Sequence, residues 1–471
     1  MIDKLLNNKK LQKTTEFILF LLVFAITLVY VAMAFVQYIN SDAAFYLGVV
    51  NSIHEGLVPI RDFPLFYTPL SFYLLQIVRI FTHDYTVYIS VLFLFIIASS
   101  FVLYQIVHKL SANRILSLSV QLLFLIQVFI YEGTFFVLGP FVVFFGLLSI
   151  WFLLEKEKGV KYILLSGIFA GASFMSKQYG LAFFAGCLVY LVFSAGEYKN
   201  KIKETLYLSL GFAIIPLLFV IYFMLSGVDF WTIILCLSGG DYGQRTESNW
   251  LKGVLRLFNY RHFLTIFLLL LPFVLYKNKH LIPLALSLFV TAFLLTFQFY
   301  FQIFAHYYVL IIPLILTLFS LIFLYDNKHV KLGVILLLFL SSCYLGGRVV
   351  RRTHHFINTN PRIEQVQQAN RIQEKVKDTD VVFILGAHLV SDYFLLNKKP
   401  ALFSIYGYSF GFETEKEIVE RIKYSTVLIS ETQHLNNLTS NSQNIDSIIR
   451  DGNFQVVYQS EHRIVLRRCP N

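Results

Sequence analysis

Apolar runs long enough to cross a lipid bilayer recur from residue 15 to about residue 347, and no other feature limits the fold as strongly. A helix needs about 20 apolar residues to cross a hydrocarbon layer of ~30 Å, and in that layer every backbone polar group must find its partner within the protein. Repeated runs of this length predict a bundle of membrane helices. The charged share agrees, at 14% against about 25% in an ordinary soluble domain. Only the residues after about 350 have the mixed composition of a water-soluble domain. Two parts are expected, a membrane body over 1–350 and a smaller domain over 351–471. The first apolar run, Thr14 to Gln37, lacks a small-residue cleavage site and reads as a retained helix.

The net charge of +11 lies largely in short Lys-rich linkers, the pattern of cytoplasmic loops rather than of a nucleic-acid groove, so no nucleic-acid partner is expected. These linkers are Lys109 to Arg114, Lys156 to Lys161, Lys199 to Lys203, Lys277 to Lys279 and Lys328 to Lys331. They share the cytoplasmic side with the Lys-bearing N-terminus only if Phe63 to Phe81 does not cross. About eleven spans follow, near 15–37, 86–107, 115–130, 134–154, 160–176, 178–195, 205–225, 262–276, 280–300, 307–325 and 330–347. The C-terminal domain then lies on the outer face. Residues 38–85 become one long outer loop with two interfacial segments, the first an amphipathic helix with Phe45, Tyr46, Val49, Val50, Ile53 and Leu57 on one face and Gly56 as its stop. The four cysteines, Cys187, Cys236, Cys343 and Cys469, are scattered and form neither a metal nor a disulfide framework.

Few ionisable residues sit where chemistry can use them, and each has a plain structural alternative. Asp42, just outside the first span, is either a helix cap or a shielded general base. Glu132, in the tight outer link Tyr131-Glu132-Gly133, is either solvated among headgroups or part of a site. Lys177, between two apolar runs, either snorkels or binds a phosphate as a point charge. Arg245, Lys252, Arg256 and Arg261 belong to an outer loop. Arg348, Arg351 and Arg352 follow the last span and suit anionic headgroups or an anionic substrate. The aromatic segments around Tyr300 and around His306, Tyr307 and Tyr308 form either an interfacial belt or a sugar-stacking surface. No nucleotide-binding or hydrolase motif occurs in a usable context.

Four short segments, in order, resemble the GT-C glycosyltransferases, in particular the group of protein O-mannosyltransferases and the lipid A aminoarabinose transferase. They are Asn40-Ser41-Asp42-Ala43-Ala44-Phe45-Tyr46, then Pro64 to Tyr73, then the Gly-rich run Ser166 to Lys177, and finally His306 to Pro313. The likeness covers residues 15 to about 350. It implies a GT-C-like helical membrane fold and a donor sugar on a polyprenyl or dolichyl phosphate, moved to an acceptor hydroxyl on a protein, lipid or glycan at the outer face. It also implies Asp42 as general base, Glu132 as second acid, and inversion at the anomeric carbon. Lys177 with one of Arg245, Arg256, Arg261 or Arg348 would hold the phosphate, and Tyr67, His306 and Tyr307 would contact substrate. Ala43 stands where many relatives carry a second acid, and Thr68 where some carry Lys. No cofactor is implied, and a divalent metal stays an unsupported alternative.

The tail predicts a small α/β domain. Val381 to Leu385 and Ser425 to Ile429 read as strands, Leu389 to Leu396 as a helix, and Phe454 to Tyr458 with Arg463 to Leu466 as a hairpin. It covers the site, binds acceptor or stabilises the fold. A transporter or flippase for lipid-linked saccharides is the competing function. The sequence shows no internal repeat or broken helix pair of the transporter kind.

Overall fold

The computed structural model describes residues 9–63, 65, 67–237, 250–256, 271–300, 304–324, 328–377, 379–385, 395–396, 415–460 and 463–468. The chain divides into two compact units. One comprises Met1–Ala34, Leu65–Ser71 and Thr86–His355; the other comprises Phe35–Pro64, Phe72–Tyr85 and Phe356–Asn471.

The first unit is helical. Among the described residues, six helical runs of the chain are long and apolar enough to cross a membrane: Lys9–Val36, Tyr85–Ser111, Tyr198–Leu225, Lys279–Phe299, Ala305–Ile322 and His329–Gln373. Four shorter apolar helices, Arg114–Ile130, Gly139–Leu154, Val160–Ser176 and Gln178–Phe193, fall where spans are expected. Of the span expected at 262–276, only the helix Leu271–Lys277 is described; the remainder lies outside the described residues. Leu70–Phe81 is a helix of 12 residues, about 18 Å long and too short to cross a ~30 Å layer.

Polar contacts tie three of the Lys-rich linkers together. Glu155 accepts Lys109 and Lys158 at 2.6 Å each, and Lys156 reaches Glu204 at 3.0 Å. Short helices that start from this end carry their C-termini to the other, so the turn after Ile130 and the break at Lys177 share the opposite end. The Gly-rich pattern of Val160–Ser176 has a packing cause. A Cβ on Gly167 would overlap the Leu208 carbonyl, one on Gly171 the Phe212 carbonyl, and one on Gly211 the Leu164 carbonyl. Backbone-to-backbone approach of Val160–Ser176 and Tyr198–Leu225 therefore requires these glycines, the usual device where apolar burial cannot drive helix association.

The second unit joins the segment after the first long helix to the tail. Ser41–His54 is a helix that closes at Gly56 (φ 87°). The Gln365 side chain exchanges two 2.9 Å hydrogen bonds with the Ile39 backbone, and Arg362 pairs with Asp84 at 3.0 Å. The tail forms a four-stranded sheet in the order β1-β2-β4-β3, with β1 Val382–Leu385, β2 Val427–Glu431, β3 Phe454–Gln459 and β4 Arg463–Arg468. β1 and β2 are parallel; the other two pairs are antiparallel. Phe383, Leu428 and Leu466 of the sheet pack with Ile418, Ile422, Leu435 and Ile445 of the helices into one core. The strands expected in the tail are present. The helix expected at 389–396 lies almost wholly outside the described residues.

Candidate functional site

Lys177 stands where one helix stops and the next turns back. Val160–Ser176 ends at Lys177, whose backbone is extended (φ −165°, ψ 142°), and a single turn at Gln178–Gly180 opens the returning helix. The residue is buried, 5% exposed. Its Nζ lies 5.0 Å from the ring centre of Tyr67, 5.3 Å from Tyr179 and 5.4 Å from Tyr307. Three ring faces around one ammonium form a cage, each contact adding about 0.5–2 kcal/mol as water is excluded. Two hydroxyls from the segment Leu65–Ser71 fix the same helix end, with Thr68 Oγ1 donating to the Phe174 carbonyl (2.8 Å) and Ser71 Oγ to the Ser176 carbonyl (3.1 Å). This explains why Tyr67 reaches Lys177: its neighbours are tied to the last carbonyls of the Lys177 helix.

Tyr307 also leads to the second acidic candidate. Its ring meets His306 edge-on at 4.8 Å, and His306 Nδ1 lies 3.8 Å from Glu132 Oε2. The sequence gives His306 no partner; the fold supplies Glu132 from a distant turn. Glu132 itself has φ 62°, and the Gly133 N–H donates to the Val128 carbonyl at 2.9 Å. This is a helix-closing turn whose left-handed position usually holds Gly. A side chain there costs on the order of 1 kcal/mol or more, and strain of this kind gathers at working sites.

Glu132 lines a cavity of about 710 Å³ with Ile130, Ala305, Arg348, Arg351 and Arg352. Arg352 donates to the Phe129 and Ile130 carbonyls at 3.3 and 3.2 Å, satisfying the end of Arg114–Ile130. Arg348 Nη2 donates to the Tyr344 hydroxyl at 3.1 Å and its guanidinium lies over that ring. Lys177, Tyr67, Tyr307, His306, Glu132 and Arg348 thus form two neighbouring clusters linked through the 304–308 aromatics. Among the described residues, no three His, Cys, Asp or Glu side chains converge to hold a metal ion.

Asp42 corrects one alternative. The cap of Ser41–His54 is Asn40, in extended backbone (φ −81°, ψ 172°), whose Oδ1 accepts the Ala43 N–H at 3.0 Å. A capping residue precedes the helix, whereas Asp42 already lies in its first turn. Its half-buried carboxylate favours the helix dipole but is not needed as the cap. Arg245 and Arg261 lie outside the described residues. Arg256 ends the helix Trp250–Arg256, and its side chain lies outside them too.

Superposition on solved structures decides the fold. ArnT from Cupriavidus metallidurans, crystallised bound to undecaprenyl phosphate, matches with a TM-score of 0.67 at 13% identity, over 95% of this chain and 97% of that one. The fold is GT-C. ArnT in the apo state gives a TM-score of 0.68 with the same identity and coverage. AglB, the oligosaccharyltransferase of Archaeoglobus fulgidus, in complex with an inhibitory peptide and a dolichol-phosphate, gives 0.53 at 12% identity, over 91% of this chain and 71% of that one. Residues 66–223 match the family described as dolichyl-phosphate-mannose-protein mannosyltransferase. No curated protein sequence matches the chain. Within this fold, Tyr179 and Ser71 carry no mark in the sequence, and Thr68 stands out there only as a departure from the relatives, because each looks like an ordinary interfacial residue until the Lys177 turn brings them together.

Proposed function

We propose that the chain is a membrane glycosyltransferase that moves a sugar from a polyprenyl or dolichyl phosphate to an acceptor hydroxyl at the outer face. The observation that carries this is the buried Lys177 ammonium in its tyrosine cage at a helix break. A fixed, desolvated cation is suited to charge that grows on a departing phosphate, where preorganised electrostatics contribute most. Asp42 takes the proton from the acceptor hydroxyl. The oxygen attacks the anomeric carbon, the bond from that carbon to the phosphate oxygen breaks, and the phosphate leaves with the electron pair. In-line attack inverts the centre. Glu132 is the second acid of the site, and Arg348 or one of Arg245, Arg256 and Arg261 is the second cation for the phosphate. Tyr67, His306 and Tyr307 shape the surface that the sugar meets.

The topology of this reading has its own support. The hydrogen bonds between Gln365 and Ile39 and the Arg362–Asp84 pair hold the first outer segment and the start of the tail in one unit. Both then lie on the same side of the bilayer, which this reading takes as the outer face. The test is purified protein in lipid, supplied with isoprenyl-phosphate sugars. Cleavage of the sugar–phosphate bond, by transfer or slow hydrolysis, is expected. Movement of an intact lipid-linked saccharide across the bilayer without cleavage would establish the transporter reading instead.

A further inference from the structure

The helices Lys9–Val36 and Ser41–His54 are separated by four residues, Gln37 to Asn40, that are not helical. Their backbone groups therefore need partners from elsewhere, and a buried N–H or carbonyl without one is costly. Ile39 is only 2% exposed, so water does not serve it. Gln365 does: the Ile39 N–H donates to Gln365 Oε1, and Gln365 Nε2 donates to the Ile39 carbonyl, at 2.9 Å each. One side-chain amide takes both backbone groups of one residue, as a neighbouring strand would. The Tyr85 hydroxyl donates to the Tyr38 carbonyl at 3.3 Å. Arg362 lies 5.3 Å from the centre of that tyrosine ring and pairs with Asp84 at 3.0 Å. Arg362 and Gln365 are three residues apart on the helix Pro361–Gln373, so one face of it holds two consecutive residues of the segment.

We propose that Gln365 is a positioning residue for Asp42, fixing the backbone that carries the carboxylate; this rests on the reading of Asp42 as the general base. Asn40 links the two. It follows Ile39 directly, its Oδ1 accepts the Ala43 N–H at 3.0 Å, and its carbonyl accepts the Ala44 N–H at 2.9 Å. The first turn, with Asp42 in it, is thus built on Asn40, and Asn40 stands where Ile39 is held. Gln37 gives no support of its own, being fully buried with neither amide atom paired among the described residues. An apolar side chain at 365 could bury as much surface but would tolerate sliding, whereas two hydrogen bonds to one residue admit a single register. Register matters for a base, because a shift of ~1 Å at a reacting group can cost about 10²-fold in rate. The tail helix therefore sets the base, which gives the tail a part in turnover beyond stabilising the fold.

The experiment is a double-mutant cycle on the full chain in lipid with an isoprenyl-phosphate sugar, Asp42→Asn crossed with Gln365→Met. Methionine keeps the length of the side chain and removes both hydrogen bonds. Gln365→Met is expected to lower kcat about 10- to 100-fold while the KM for donor changes by less than about twofold. In the Asp42→Asn background the same change should alter kcat by less than about twofold, because a misplaced base and an absent one are equivalent. Exchange of the amide hydrogens of residues 38–44 should quicken at least about tenfold in Gln365→Met. Gln367→Met, at an exposed position of the same helix, is the control and keeps the parental kcat. If Gln365→Met does not fold, Arg362→Gln carries the cycle, with the Ile39 bonds in place and an expected loss of about two- to fivefold. An equal loss in both backgrounds overturns the proposal, as does unchanged amide exchange at 38–44 in Gln365→Met. A raised KM with kcat intact also overturns it. Near-normal turnover of Asp42→Asn removes this proposal together with the catalytic reading of Asp42, whereas additive losses remove this proposal alone.

Discussion

Lys177 and Asp42 both sit at helix ends, and the protein treats the two charges in opposite ways. The cation is buried and surrounded by three tyrosine rings, on a turn held by hydroxyls from another segment. The anion lies half-buried on the first turn of its helix, with the capping duty assigned to Asn40 two residues earlier. A charge that must stay in one place while another charge appears gains from a rigid cage. A proton acceptor gains from being left available to substrate, since every extra hydrogen bond to a carboxylate lowers its basicity. The contrast teaches that the two residues can be separated by mutation, because their structural neighbours are different.

The largest expected effect is at Asp42. Asp42→Asn should lower transfer by on the order of 10²- to 10⁴-fold, the usual scale of general-base loss. Because Asn40 is the cap, Asp42→Ala should match Asp42→Asn in rate, and each should cost no more than about 0.3–1 kcal/mol through the helix dipole. Asn40→Ala supplies the reverse result, a stability loss of roughly 1 kcal/mol with most of the turnover intact. Rates with lipid-linked donor and thermal unfolding of the three variants decide the matter. Near-normal turnover in Asp42→Asn would remove Asp42 from the chemistry.

At Lys177 a smaller effect is expected. Lys177→Ala should weaken use of the lipid donor at subsaturating concentration about 10- to 100-fold, more than Tyr179→Phe, which keeps a ring face. Lys177→Gln separates the roles, since a residue that only snorkels tolerates Gln with little loss of turnover. Donor titrations of the three variants at matched expression give the answer. Equal activity of Lys177→Ala and the parent chain would take Lys177 out of the site.

This comparison also marks how far the sequence can be read. Apolar runs and Lys-rich linkers are local signals, and they place most helices and the strands of the tail because length, hydropathy and period act over a few residues. Asp42 and Lys177 stand out in sequence for the same reason, as charges beside apolar runs. Their surroundings are not local. The Lys177 cage joins Tyr67, Tyr179 and Tyr307, and the Glu132 cavity joins a turn after residue 130 to a helix past residue 347. Gly167 and Gly171 stand out in the sequence as part of a Gly-rich run ending in Lys177, but only the fold shows that both are spent on close helix packing. The Asp42 cap fails for a reason of one or two residues: Asn40-Ser41-Asp42 offers three capping side chains, and only backbone angles show which precedes the helix.

The smallest effect concerns the other end of the helices, where the linkers meet. Lys109 and Lys158 hold the Glu155 carboxyl below its ordinary value of 4.5, with the hydrogen bond from Lys109 the larger cause. A depressed carboxyl contributes stability that is fully present above its unfolded pKa and is lost as pH falls through the folded one. The contribution should therefore hold at neutral pH and fade as pH drops from about 4.5 downward. Each pair has a partly exposed lysine, so solvent screening limits each to about 0.2–1 kcal/mol. Glu155→Gln should lower the unfolding temperature at pH 7 by about 2 °C or less, and the difference from the parent chain should shrink below pH 4. High salt should shrink it further, because exposed pairs are screened within about 10 Å at 0.1 M. Unfolding monitored across pH 3.5 to 7 in detergent measures this, and a gap that grows as pH falls would contradict the ion-pair account.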